Sequence, residues 1–252
     1  NKMQFTLKDS MRDTYVAAIF HVYKDEIAAL DETDADYNAK LSAIFNRCDD
    51  STIAKVKAAL IEAKRSTVYG FEVDEGKDDI VKGIYHANLA WSGDAVYSMD
   101  SAEDSNKYLA YSLPEEGSNI WFDGWCMPKG ANKEVAEEFV NFISNPEIAA
   151  LSMDAVGYTS SIAGKDIWDL VNEWYAAEDG DEDVDEVDLS YFFQGTFEGS
   201  KTIKISREER GRQFDAQYPS EDQIKKCCIM KDFGSQTNAV EDMWSEVGSA
   251  SK

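Results

Sequence analysis

A chain of 252 residues, 43% of them hydrophobic, can bury a sizeable core as one large domain or two small ones, and none of its apolar runs is long enough to span a bilayer. Forty-nine acidic against 25 basic residues leave a net charge of −24, which argues against nucleic acid as a partner and is compatible with cationic ligands. Four cysteines, Cys48, Cys126, Cys227 and Cys228, match neither a disulfide framework nor a zinc spacing, so buried thiols are expected and the compartment stays undecided.

The chain opens at Asn1 without a visible signal peptide, on a strand-like segment that reaches Leu7, and this opening is expected to be a mature or truncated start. Ser10 followed by Asp13 fits a helix capping box, and the apolar run Tyr15–Val22 continues that helix. Capping alone would explain both residues as well as a binding role does. Further helices are expected near Asp34–Phe45 and over Ser51–Arg65, the second with Ser51 as its cap and Ile53, Val56, Leu60 and Ala63 on one face. Thr67–Glu72 is strand-like and Lys77–Ile84 a short helix. Trp91 then stands at the end of a strand, before Ser92-Gly93-Asp94 and a helix, at the sheet edge where ligands collect in open α/β folds. A buried core tryptophan is the competing explanation.

Tyr108–Leu113 is another expected strand, and it leads to the stretch on which the functional expectation centres, Ser118–Gly130. Aromatic and apolar residues fill this stretch, and Pro128-Lys129-Gly130 ends it as a turn. On a strand, Trp121, Asp123 and Trp125 share one face, alternating with Phe122 and Gly124. A carboxylate flanked by indoles suits a cation, because the ring faces attract ammonium and the carboxylate neutralises it. A strand with packed tryptophans and a solvated aspartate is the plainer alternative.

Asn132–Ser144 and the segment from Pro146 towards Val156 are expected helices, followed by a Gly157–Ser161 loop and a helix over Lys165–Ala177. The acidic run Glu178–Glu186 should be solvated and mobile. It lacks the glycine at the sixth and the glutamate at the twelfth position that a calcium loop needs. Ser190–Phe197 and Lys201–Ser206 form a candidate hairpin, and Asn238–Val247 a closing helix. Alternating strands and helices with short links define an α/β fold. The two histidines, His21 and His86, pair with no nucleophile, and no phosphate or dinucleotide loop occurs, so an enzyme is the lesser expectation; no catalytic residue, metal site or cofactor is assigned.

The order of Asp9-Ser10-Met11-Arg12-Asp13, Leu89-Ala90-Trp91-Ser92-Gly93, Trp121-Phe122-Asp123 and Gly157-Tyr158-Thr159 resembles the spermidine/putrescine-binding proteins of ABC transporters. The resemblance is strongest over Asn88–Ser161 and Tyr218–Glu246. It implies a two-lobed periplasmic-binding-protein-like (type II) fold, with a polyamine held between the lobes and delivered to a membrane permease. By that resemblance Asp123 takes one amine, Trp91 and Trp121 wall the methylene chain, Asp13 serves another amine and Tyr158 closes over the ligand. Ser10 stands where some relatives carry an acid, and Met230 where a late polar residue is common, so the choice between putrescine and spermidine stays open. The resemblance also implies one nearly complete second lobe, 1–122 with 162–252, and 123–161 as the remnant of a first lobe whose rest precedes Asn1. An extracytoplasmic place follows, in the periplasm or on the outer face of the cell membrane, with tethering or fusion to the permease as an option. A same-fold carrier for a metal ion or small anion is the alternative.

Overall fold

A computed structural model describes residues 3–251. Asn1 and Lys2, the first residues of the strand-like opening, and Lys252 lie outside it. In chain order the elements are β1 (Phe5–Lys8), α1 (Met11–Val22), α2 (Lys24–Ala28), α3 (Tyr37–Phe45), α4 (Asp50–Ser66), β2 (Val68–Glu72), α5 (Glu75–Lys82) and β3 (Ala87–Asn88). They continue with α6 (Ser92–Asp104), β4 (Ser118–Asn119), α7 (Lys133–Ile143), α8 (Pro146–Val156), α9 (Lys165–Tyr175), β5 (Val184–Asp188), α10 (Ser190–Phe193) and β6 (Thr202–Ser206). The last are α11 (Gln213–Gln217), α12 (Glu221–Lys225), β7 (Cys227–Cys228) and α13 (Thr237–Ser249). The fold is α/β, as expected.

Two compact units divide the chain. The first holds the residues up to Ala90, Leu113–Trp121, and those from Glu221 onward; the second holds Trp91–Ser112 and Phe122–Ser220. In the second unit 91–112 and 162–220 pack with 122–161.

In the first unit β1 is the middle strand of a parallel sheet ordered β2-β1-β3. Parallel neighbours need crossover connections, and helices α1 to α4 and then α5 supply them. Because helices cover the sheet, successive residues of β1 are buried whichever way they point: Thr6, Leu7 and even Lys8, whose ammonium donates to Val73 O at 3.0 Å. Helix α1 is buried on several sides through Tyr15, Val16, Ala18, Ile19 and Phe20, and it packs on Leu41, Phe45, Val56 and Leu60. Helix α4 begins one residue before the expected position, because Asp49 rather than Ser51 caps it and accepts from the N–H groups of Ser51 and Thr52. Its last-turn Lys64 donates to Val247 O at 2.9 Å, tying α4 to the end of α13.

In the second unit β5 and β6 form an antiparallel pair, Val184 opposite Ser206 and Asp188 opposite Thr202. The expected hairpin is thus corrected. The partner of Lys201–Ser206 is the end of the acidic run, while Ser190–Phe193 turns into a short helix. Arg207 donates to Asp183 at 2.7 Å and Asp185 at 2.8 Å, which offsets the charge that was expected to keep the run solvated. Ile203 and Ile205, alternating along β6, reach the core of Met153, Ile167, Val171, Tyr175, Phe193, Phe214 and Tyr218. Two expected strands do not form. Tyr108–Leu113 makes no ladder, and of Ser118–Gly130 only Ser118 and Asn119 pair, with Cys227 and Cys228. Residues 121–130 are all exposed. Alternation sets which way side chains point, but a strand also needs a neighbour for its backbone groups, and that neighbour is a tertiary matter. The thiol expectation holds for Cys228, whereas Cys48 and Cys227 are half-buried and Cys126 is exposed.

Candidate functional site

Each unit holds three of the six expected site residues: Ser10, Asp13 and Trp121 in the first, Trp91, Asp123 and Tyr158 in the second.

In the first unit Ser10 has extended backbone (φ −134°, ψ 113°) and caps α1, its hydroxyl accepting from Asp13 N at 3.4 Å. Asp13 lies in the first turn, where a carboxylate is favoured by the helix dipole. The geometry of both is therefore accounted for by capping, and both remain partly open to solvent. Arg12 between them donates to Lys231 O and lies 5.4 Å from the centre of the Phe233 ring. Asn46 fixes the same segment from the other side, accepting from Lys231 N at 2.7 Å and donating to Ile229 O at 3.2 Å, so Met230 is held between two anchored residues. Trp121 follows β4, where Ile120 N still donates to Cys228 O at 3.0 Å, and its side chain is 38% exposed.

In the second unit Trp91 is the N-cap residue of α6, extended at φ −69° and ψ 152°, with its indole half-buried. Gly93, in the first turn of α6, is bare for a reason: a Cβ there would stand 2.2 Å from the Tyr158 ring. Tyr158 reaches that position because α8 stops sharply at Gly157, whose φ of +71° is left-handed and suits glycine. The loop is then pinned from below. Thr159 Oγ1 donates to Gln217 O at 2.6 Å, Gln217 Nε2 donates to Gly157 O at 2.8 Å, and the buried Tyr175 hydroxyl donates to Gln217 Oε1 at 2.7 Å. The Tyr158 phenol is pushed up to about 12, first by burial and then by the charges of Asp94 and Asp123; a backbone hydrogen bond from Asp94 opposes this. Asp123 and Tyr158 are thus close enough to sense one another. Trp91 is the N-cap residue of α6, the helix on whose first turn the Tyr158 ring lies.

Asp94 is the functional candidate that sequence reasoning passes over. Behind Ser92-Gly93 it reads as an ordinary first-turn acid, and only the docking of Tyr158 onto Gly93 brings it beside a phenol. The largest cavity described, about 780 Å³, lies in the first unit near Glu32, Asn38, Leu113 and Lys226, and none of the six residues lines it. No three acidic, histidine or cysteine side chains among the described residues converge to hold a metal ion, and no described helix is long and apolar enough to cross a membrane.

A model of the bacterial extracellular solute-binding protein family matches residues 3–172, and this chain belongs to that family. Among curated relatives, the putrescine-binding periplasmic protein SpuD of Pseudomonas aeruginosa is 30% identical over 142 residues, 54% of this chain and 39% of that protein. The spermidine/putrescine-binding periplasmic protein of Salmonella typhimurium is 24% identical over 147 residues, 57% of this chain and 41% of the relative. The putrescine-binding periplasmic protein PotF of Escherichia coli is 27% identical over 100 residues, 38% of this chain and 27% of the relative. The matched part therefore spans well under half the length of these relatives. The family is one of solute-binding proteins rather than an enzyme class.

Proposed function

We propose that this chain is a polyamine-binding component of an ABC importer, capturing putrescine or spermidine outside the cytoplasm and working with a membrane permease. The observation that carries this reading is the Tyr158 phenol, neutral at physiological pH and under the charges of Asp94 and Asp123, seated on the first turn of the helix that begins after Trp91. A dication is costly to desolvate, so its site must supply carboxylates, and its methylene chain favours aromatic walls. The names of the curated relatives support the same ligand class. In this reading Asp123 takes one ammonium, Trp91 and Trp121 contact the methylenes, Tyr158 covers them, and Asp13 with Ser10 serves a second amine. An anion carrier would present basic side chains to its ligand, whereas two of these six residues, Asp13 and Asp123, are acids and none is basic.

Calorimetric titration with putrescine and with spermidine tests this directly. Saturable heat is expected for at least one of them. Asp123→Ala should weaken it by about 10- to 100-fold, the worth of one charge-assisted hydrogen bond. Absence of saturable heat with both polyamines, or equal affinity in the variant, would sink the reading.

A further inference from the structure

The hydrogen bonds beneath Tyr158 meet at one side chain. Gln217 is the last residue of α11, all five residues of which are buried, and it is itself 3% exposed. Its Nε2 donates to Gly157 O at 2.8 Å and its Oε1 accepts from the Tyr175 hydroxyl at 2.7 Å, while its backbone carbonyl accepts from Thr159 Oγ1 at 2.6 Å. The residues before and after Tyr158 are thus both tied to it. A carbonyl can only accept, so Gly157 O fixes which end of the carboxamide faces it, and the phenol then has to donate to the other end. Burial raises the Tyr175 phenol above its ordinary range, so this donor stays protonated. A hydrocarbon of the same size satisfies neither partner, and a carboxylate satisfies only Tyr175.

The same short helix is anchored to α6. Gln213, about one turn before Gln217, donates from Nε2 to Asp100 Oδ1 and Glu103 Oε1, both at 2.8 Å, and Arg212 donates to Glu103 as well. The links close on themselves. Helix α6 holds α11, α11 holds the 157–159 loop, and the loop returns to α6, where a Cβ at Gly157 would lie 3.3 Å from Gly93 O and the Tyr158 ring covers Gly93. A loop fixed on both sides of its central residue has few other positions to sample, so the seat of Tyr158 is built before a ligand arrives. That lowers the ordering cost of binding.

We propose that Gln217 is a positioning residue of the candidate site: without touching a ligand, its carboxamide sets the 157–159 loop so that the Tyr158 ring rests on the first turn of α6. The inference takes its ligand class from the polyamine reading above, while the seating itself does not depend on which ligand binds.

The test labels the full chain with 3-fluorotyrosine and assigns the Tyr158 fluorine through Tyr158→Phe. In Gln217→Leu that resonance should move towards the position of the free amino acid, while the tyrosine resonances of the first unit stay in place. Gln217→Glu separates positioning from packing. At pH 8 its carboxylate repels Gly157 O, and the Tyr158 fluorine should be displaced. A buried carboxyl titrates above its ordinary value, and once protonated at pH 5 it donates to Gly157 O again, so the resonance should return to its place in the unaltered chain. In calorimetric titration with putrescine and spermidine, Gln217→Leu should weaken the saturable heat by about tenfold, as expected if the seated loop falls to about a tenth of the population. Should Gln217→Leu fail to fold, as judged by circular dichroism, Thr159→Val at an exposed loop position decides, with the same displacement expected. A Tyr158 fluorine that keeps its place in the folded variants, a displacement in Gln217→Glu that acid does not reverse, or a displaced ring with unchanged polyamine affinity would overturn the proposal. Absence of polyamine heat in the unaltered chain overturns the reading above instead, and the fluorine shifts still decide the seating.

Discussion

At the scale of single residues, the contact between Gly93 and Tyr158 is the tightest statement the structure makes about the candidate site. An added Cβ at Gly93 would fall 2.2 to 2.6 Å from ring carbons of Tyr158, inside any permitted contact. Gly93→Ala should therefore expel the ring, at a cost of about 1–3 kcal/mol if the loop must shift to make room. The readout is the phenol itself. Released from burial and from the neighbouring Asp94 and Asp123 charges, Tyr158 should titrate near the ordinary tyrosine value of about 10 instead of about 12. Alkaline difference spectroscopy, with Tyr158→Phe to assign the transition, measures this shift. An unchanged titration would mean that Gly93 does not seat the ring. From the sequence, Tyr158 was visible as a loop tyrosine and Gly93 as a turn residue, and nothing in their spacing showed that one is the seat of the other. Ser10 and Asp13 are the opposite case: their spacing predicted the cap, and the cap is what forms.

Among the elements, α8 does the positioning, and local sequence encodes it well. Asn145 caps it by accepting from Glu147 N at 3.0 Å, Pro146 occupies its first turn, and Gly157 ends it. Asn145→Ala should lower stability by about 1 kcal/mol. Thermal or urea unfolding would register it, and a loss below a few tenths of a kcal/mol would mean that the amide does not cap. The neighbouring α7 is just as legible, capped by Asn132 and plainly amphipathic, yet none of its residues is buried, and Val135, Phe139 and Phe142 face solvent. The short strands were the least legible elements. Ser118–Gly130 has the composition and alternation of a strand over its whole length, but a ladder forms only where β7 runs alongside.

For the whole molecule, the governing quantity is charge. A net charge of −24 over 252 residues opposes the compact state by self-repulsion, and the described ion pairs relieve it only locally. Raising ionic strength from about 10 mM to about 150 mM shortens the Debye length from roughly 30 Å to about 8 Å and should raise the melting temperature. A melting temperature that falls over this range would show that attractive pairs outweigh the repulsion. The acidic balance, the α/β class, the Ser10 cap of α1 and the candidates Asp13, Asp123, Trp91 and Trp121 were legible in the sequence alone. They rest on composition, on side-chain chemistry and on hydrogen bonds only a few residues long. Tertiary structure alone decided which segments pair as strands, that β5 rather than Ser190–Phe197 pairs with β6, and that the charges of Asp94 and Asp123 act on the Tyr158 phenol. It alone decided, too, that 162–220 packs with 122–161. Each of these depends on burial and on partners distant in the chain, whose free energy no local pattern carries.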